Sequence, residues 1–439
     1  MRGAVAALSH EGEGGRGVVC YHSLVSLRSG RRGLAVAVVL SALAFPVPAA
    51  ALEIGPDADL CAATRGLGPG DELVLRPGEY TGPCAIRHGG QPGAPVVIRA
   101  QDPERPPRIV HDGRRGNYLE VRADHVVVRG LAFGPAGPRN EADGIRIYAH
   151  RDVTIEDCEF TGLGGIAVVA NHTNLRGLVV RRNVVTDTRS TAMYFGCHDG
   201  VTCAVTDVLI EGNLIKGVTA SDREIGYGVQ IKLNSQAVIR DNVVLDTKGP
   251  GIMVYGARDP AVVSVIERNL VAGARRSSGI VLGGGPATIR NNVSLDHAGA
   301  GIRLEDYQKR GLLRHVMIAH NTVHGSAAGV LVAESGPDDI AVLGNAVHAR
   351  ARGGILPAAG AGVRLHANVD CSDGGCFANP DTRDFSPLSR LQRAWGAGAA
   401  ALLNGARPPD DFFGVARGAI PVAGALERPA PALSLGRKP

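Results

Sequence analysis

The stretch that decides the fold is Gly228-Val-Gln-Ile-Lys-Leu-Asn-Ser-Gln-Ala-Val-Ile-Arg-Asp-Asn-Val-Val244. It reads as a glycine, a short apolar run with period two, a turn, a second apolar run, then an asparagine and two further apolar residues. The same phrase recurs outward in both directions. Its asparagines are Asn183, Asn213, Asn242, Asn269, Asn292, Asn321, Asn345 and Asn368, and Cys158 in EDCEF holds the equivalent slot one repeat earlier. The spacing drifts between 23 and 30 residues, and every segment alternates with a strand period. Short strands at such a period coil into stacked rungs. The expected fold is therefore all-β, a single-stranded right-handed parallel β-helix of about nine or more rungs. The recurring asparagine is expected at a left-handed corner, pairing its amide with the next rung.

Composition agrees and narrows the function classes. Of 439 residues, 60 are Gly and 26 Pro, 44% are hydrophobic, and only 4% are aromatic. That hydrophobic share excludes a disordered chain, and the absence of a three-residue glycine period excludes collagen. Arg2, Arg16, Arg28, Arg31 and Arg32 against Glu11 and Glu13 place +3 of the net +5 in the first 51 residues. The remainder is nearly balanced, with no basic run of the kind that binds nucleic acid.

Arg31-Arg32, the apolar run Leu34 to Phe45 and Ala49-Ala50-Ala51 read as a secretory signal with cleavage after Ala51. The apolar run is too short to span a bilayer. The true start is expected downstream of Met1. Residues 1–51 are thus assigned to a leader, 52–115 to an N-terminal cap and first rungs, 116–370 to the β-helix and 371–439 to a C-terminal cap and tail. A secreted, periplasmic or cell-surface location, with no membrane span after signal removal, permits disulfides. Local pairing of Cys61 with Cys84, Cys197 with Cys203 and Cys371 with Cys376 is the simplest scheme; Cys20 leaves with the leader and Cys158 stays single.

The opening Gly68-Pro-Gly-Asp-Glu-Leu-Val-Leu-Arg-Pro-Gly-Glu-Tyr80 and Pro95-Val-Val-Ile-Arg-Ala100, with the rungs, resembles the pectate-lyase-like superfamily of β-helix proteins. Within it the opening is similar to the chondroitinase B and alginate lyase branch. Asp384-Phe385, Ser386-Pro387, Asp411-Phe-Phe-Gly414-Val-Ala-Arg417 and Gly424-Ala425-Leu426-Glu427 resemble a tail common in such proteins. The likeness covers roughly residues 55–427. It is specific for fold and implies a polysaccharide as the partner.

Alternation sorts the side chains of the strand that follows each opening glycine. Arg146, Tyr148 and His150, then Ala167 and Val169, Tyr194, Gln230 and Lys232, Met253 and Tyr255, Val281, and Arg303 and Glu305 are expected to face outward. Tyr148, Tyr194 and Tyr255 are three of only eight tyrosines and offer flat faces for sugar rings. Lys232 is one of 5 Lys against 42 Arg, and unlike Arg it can lose its proton when burial or neighbouring cations lower its pKa.

β-Elimination of a uronic-acid polymer needs a cation on the carboxylate, a base for the C5 proton and an acid at the leaving O4. The assignment that follows is Arg146 or Arg303 as cation, Lys232 as base, and Tyr194 or Tyr255 as acid. Gln230, Tyr148, Glu305 and His198 are expected to bind substrate. The resemblance implies Lys and Arg on the same face, as in the related lyases, but their calcium-binding carboxylate pair has no match here. No cofactor is required; Asp222, Glu224 and Asp306 offer oxygen ligands for calcium without a spacing motif.

Other readings stand beside this one. Lys232 is then a solvated strand residue, Arg146 and Arg303 pair with Glu120 and Glu305, and the tyrosines simply stack. A C5-epimerase shares the first step, yet the epimerase Asp-Pro-His-Asp motif is reduced to Arg258-Asp259-Pro260-Ala261. A glycoside hydrolase needs two carboxylates facing one bond, which the strand bearing Tyr194 lacks. A non-catalytic carbohydrate-binding or structural rod is the remaining class. The chain is expected to act as a monomer on an acidic polysaccharide.

Overall fold

The computed structural model describes residues 51–222, 224–332, 338–351, 353–356, 362–394 and 408–436. The expected leader lies outside these residues except for Ala51, the first residue of strand Ala51–Ile54. The chain winds through three parallel sheets in turn, giving a right-handed β-helix of about eleven turns. Sheet A has thirteen strands, sheet B twelve and sheet C eleven. Each coil runs A to B to C, as in Val205–Glu211, Leu214–Val218 and Val229–Ile231.

Burial follows from the alternation. Inward residues of successive strands stack into aliphatic columns: Val128, Ile155, Val180, Ile210, Ile239, Ile266, Ile289 and Ile318 in sheet A are all inaccessible to solvent. A one-residue slip would turn such a column to the surface, so the pattern fixes the register. On the outward face of sheet A the same register aligns Arg129, Glu156, Arg181, Glu211, Arg240, Glu267 and Arg290, charges of alternating sign on consecutive strands. Glu156 is paired with Arg129, Arg181 and Arg182. Opposite charges directly across a strand pair favour the observed register, and a slip would break the whole series.

The asparagine ladder is present at the A-to-B corner. From Asn183 to Asn368 each Nδ2 donates to the Oδ1 of the next rung at 2.9–3.0 Å. That Oδ1 also accepts the backbone N–H of the preceding asparagine. Cys158 begins the series by donating its N–H to Asn183 Oδ1. One expectation needs correction. The ladder asparagines do not take the left-handed conformation; the residue before each one does, among them Arg182, Gly212, Asp241, Arg268 and His320 with φ between 54° and 62°. The preceding residue makes the corner, and this leaves the asparagine free to aim its amide along the stack.

Non-repetitive sequence covers the rod in two places. Near the start, the helix Leu60–Thr64, capped by Asp59, packs its buried Leu60 on the core and is tied by the Cys61–Cys84 disulfide. The tail was expected to close the far end. Residues 408–436 instead lie along the outward flank of sheet B, where Val243, Leu245, Leu270, Val293 and Leu295 would otherwise face water. Phe412, Val422, Ala425 and Leu426 bury them. Arg417, fully buried at its side chain, holds the tail by donating to Asn291 Oδ1 at 2.7 Å, to three backbone carbonyls of residues 422–425 and to Glu427. Among the described residues no helix is long and apolar enough to cross a membrane.

Candidate functional site on the outward face of sheet C

Two outward columns run along sheet C. The first is set by the strand register: Glu120, Arg146, Val169, Tyr194, Gln230, Met253, Val281 and Arg303. The second lies two residues later on each coil, just past the strand ends, and includes Tyr148, Gly196, Lys232, Tyr255, Gly283 and Glu305. Strands are about 4.8 Å apart. Residues that share a column therefore meet only if their strands are adjacent or their side chains lean together.

Lys232, Tyr194, Tyr255, Gln230 and His198 are brought together. The Lys232 ammonium lies 4.3 Å from the centroid of the Tyr255 ring and 5.8 Å from that of Tyr194. Gly196 makes room for it: a Cβ there would stand 2.8 Å from Lys232 Cβ. Tyr255 Oη accepts from Gln230 Nε2 at 3.3 Å and is 3.2 Å from Tyr227 Oη. Tyr194 Oη is 3.4 Å from Nδ1 of the exposed His198, on the loop closed by the Cys197–Cys203 disulfide.

These groups are not the open stripe that alternation suggested. Lys232 is only 6% exposed and Tyr255 only 2%. The cover comes from the loop after strand Ala300–Leu304. Tyr307 sits over Gly283 and meets Tyr255 edge-on at 4.7 Å, and Leu312 packs in the same cluster. Asp306 shapes that loop by accepting from the N–H groups of Gly311 and Leu312.

Burial governs the titration. It lowers the Lys232 pKa, the positive charge of Arg310 lowers it further, and Asp199 opposes both. Among the described residues no carboxylate forms an ion pair with Lys232. Burial pushes the Tyr194 hydroxyl up to about 12, aided by Tyr255 and Asp199, and raises Tyr255 and Tyr227 as well. The site thus holds an amine biased toward its neutral form beside phenols that keep their protons.

The expected guanidinium partners do not join it. Arg146 and Arg303 each stand three strands from Gln230 in the column, about 14 Å. Arg303 pairs with Glu305 at 2.7 Å. Arg146 does not pair with Glu120; its Nε donates to the buried Asp143 at 2.8 Å, and it also meets Asn171 and His172. Tyr148 belongs with this second group, stacked on His172 at 5.3 Å with the Arg122 guanidinium 4.1 Å above its ring. The cation whose charge reaches Lys232 is Arg310. The sequence pattern did not single it out, because strand alternation says nothing about where a loop folds. Tyr227 and Tyr307 were missed for the same reason.

The offered calcium ligands also fail to converge. Asp222 and Glu224 stand on a B-to-C loop and Asp306 on a C-to-A loop, at opposite ends of the sheet C strands. Asp222 lies 3.9 Å from Lys248 and from Arg276, and Asp306 is occupied by its own loop.

The sequence pattern described as "Right handed beta helix region" matches residues 199–370. No curated protein matches the chain. Several solved structures are similar in fold. The PL6-family alginate lyase AlyGC is 16% identical with a TM-score of 0.48, over 74% of this chain and 52% of its own, so the chain spans about half of that enzyme. Pectate lyase Pel9A is 15% identical with a TM-score of 0.46, over 87% of this chain and 97% of its own. The A-module of mannuronan C-5 epimerase AlgE4 from Azotobacter vinelandii is 16% identical with a TM-score of 0.42, over 70% and 93%. A tailspike protein, Dettilon gp208, is 14% identical with a TM-score of 0.46, over 70% and 61%. These likenesses concern the β-helix alone.

Proposed function

We propose that the protein is a lyase that cleaves a uronic-acid-containing polysaccharide by β-elimination, with Lys232 as the base. The observation that carries this reading is the buried amine: Lys232 lies between Tyr194 and Tyr255, without an ion-pair partner among the described residues and beside the charge of Arg310. An amine so placed gives up its proton more readily than a solvated lysine, the direction that a general base requires.

In this reading the Arg310 guanidinium draws the uronate carboxylate and makes the C5 proton more acidic. Neutral Lys232 takes that proton, the electron pair forms the C4–C5 double bond, and the C4–O4 bond breaks. Tyr194 gives its proton to O4. Tyr194 suits this role better than Tyr255, whose hydroxyl is held by Gln230 and Tyr227, and His198 offers a path by which solvent reprotonates it. Tyr307 and its loop have to shift for a sugar to reach the amine. A C5-epimerase would use the same first step and return a proton to the opposite face.

The close cover over Lys232 also favours a second reading, a non-catalytic carbohydrate-binding rod in which the lysine fills space between aromatic rings. A hydrolase is disfavoured because Tyr194, Gln230, Met253 and Val281 occupy the outward positions around the site, leaving no carboxylate pair there. The three disulfides suit an oxidising compartment, in keeping with a secreted or surface protein.

Incubation with alginate, pectate, chondroitin, hyaluronan and glucuronan, followed by ultraviolet absorbance of unsaturated uronate, separates the readings. Absorbance that disappears in Lys232→Ala supports the lyase. New reducing ends without absorbance indicate hydrolysis, and binding with neither indicates the rod.

A further inference from the structure

A cleft lies well away from Lys232, at the start of the sheet C strands. It has a volume of about 800 Å³ and opens between the loops 112–117 and 134–144, which lead into the strands Leu119–Val121 and Ile145–Ile147 of sheet C. Four arginines line it, Arg114, Arg115, Arg139 and Arg146, against Glu141 and Asp143. Asp143 is used by Arg146, and Arg114 pairs with Asp112 outside the lining. Arg115 and Arg139 form no ion pair among the described residues, and they come from opposite walls.

Both walls are held by hydrogen bonds that do not consume these two charges. His111 accepts from the Gly113 N–H at 3.0 Å and reaches the Gly116 carbonyl at 3.2 Å, which fixes the first loop. Arg189, from two coils further on, donates to the carbonyls of Gly137, Pro138 and Asn140 and fixes the second. Pinned loops lose little further freedom when a ligand binds, so the two guanidinium groups they carry are offered to an oxyanion at low cost in backbone ordering.

The position adds a geometric constraint. Arg146 lies three strands before Gln230 in one column, and a pyranose ring is about as long as one strand spacing. We propose that this cleft anchors the carboxylate or sulfate groups of an acidic glycan, at a level of the rod about three strands before Gln230. The inference takes from the proposed function only the acidic nature of the polymer.

Affinity electrophoresis of the full chain in gels containing polygalacturonate, a sulfated galactan or neutral dextran tests it without requiring turnover. The double substitution Arg115→Ala/Arg139→Ala should weaken retention by polygalacturonate about tenfold or more, with a smaller salt dependence, while Arg105→Ala on a distant turn leaves it unchanged. Retention only by the sulfated galactan, lost in the double variant, would identify sulfate as the group held. Equal retention of the double variant and the parent, or equal binding to dextran, would overturn the proposal. Circular dichroism of these exposed variants checks that the rod is intact. Because binding is read directly, a failed lyase assay leaves the result standing, and failure here leaves the role of Lys232 untouched.

Discussion

The Lys232 ammonium sits 4.3 Å from the centroid of the Tyr255 ring, on the neighbouring coil, with little access to water. A ring face attracts a cation, whereas removal from water and the nearby Arg310 disfavour one. Burial and the charge of Arg310 lower the Lys232 pKa against the opposing charge of Asp199. The amine is therefore held in place by aromatic packing and biased toward its neutral form by its surroundings.

If Lys232 is the base, Lys232→Ala lowers turnover by about 10²–10⁴-fold. Lys232→Arg keeps the charge and the stacking but cannot lose the proton, and it should be equally inactive. Steady-state rates by ultraviolet absorbance check this; an active arginine variant would exclude the amine as base.

The rate should climb with pH through the lowered Lys232 pKa and hold until Tyr194, at about 12, begins to lose its proton. Arg310→Ala removes a repelling charge, raises the Lys232 pKa and moves the rising limb to higher pH. The same shift governs stability. Between the folded and the higher unfolded pKa of Lys232 the unfolded chain binds more protons, so stability increases with pH across that window. Lys232→Met should remove that rise, as followed by thermal melts across the alkaline range.

In the ladder, Asn242 Oδ1 accepts from both the N–H and the Nδ2 of Asn213, and its own Nδ2 donates to the Ile210 carbonyl and to Asn269 Oδ1. Asn242→Ala strands these buried groups and should cost on the order of 3 kcal/mol. Denaturant unfolding measures it, and a loss near zero would mean that water or a local shift replaces the amide.

Cys158 holds the ladder slot with a sulfur that burial keeps as a thiol, its pKa pushed up to about 12. Cys158→Asn would place an amide beside Asn183 Oδ1 and Val128 O, the positions its homologous rungs use. A gain of about 1 kcal/mol in unfolding free energy is expected. A loss would show that the first rung is too tight for the larger side chain.

Arg417 joins the tail to the rod through Asn291. Arg417→Ala leaves the Asn291 side chain and four tail carbonyls, those of Asp410, Val422, Gly424 and Ala425, without their donor, a cost of roughly 3–5 kcal/mol. Limited proteolysis should then cut within 408–436 while the rungs stay resistant.

What could be read without coordinates was whatever repeats. Asn183 to Asn368, the alternating apolar residues and the opening glycines gave the coil, its period and the inward columns, because each rung solves the same packing problem as its neighbours. The pairing of Cys61 with Cys84, Cys197 with Cys203 and Cys371 with Cys376 was accessible as well, since those cysteines are close in sequence or separated by about one coil. Gln230, Lys232 and the tyrosines could be assigned to one face for the same reason.

Where the loops and tail lie depends on interactions that do not repeat. Tyr307 packs edge-on against Tyr255 beside Lys232, the charge of Arg310 acts on Lys232, and Arg417 crosses 126 residues to reach Asn291, each an interaction made once in the molecule. Alternation gives the side of a strand on which a residue stands, but not what later folds over it. The sequence by itself determined the solenoid and its register, through local periodicity and backbone pairing between adjacent coils. The tertiary structure alone decided that the outward lysine is buried and that Arg146 and Arg303 stand three strands away, because those facts depend on loop conformation and on distance along the rod.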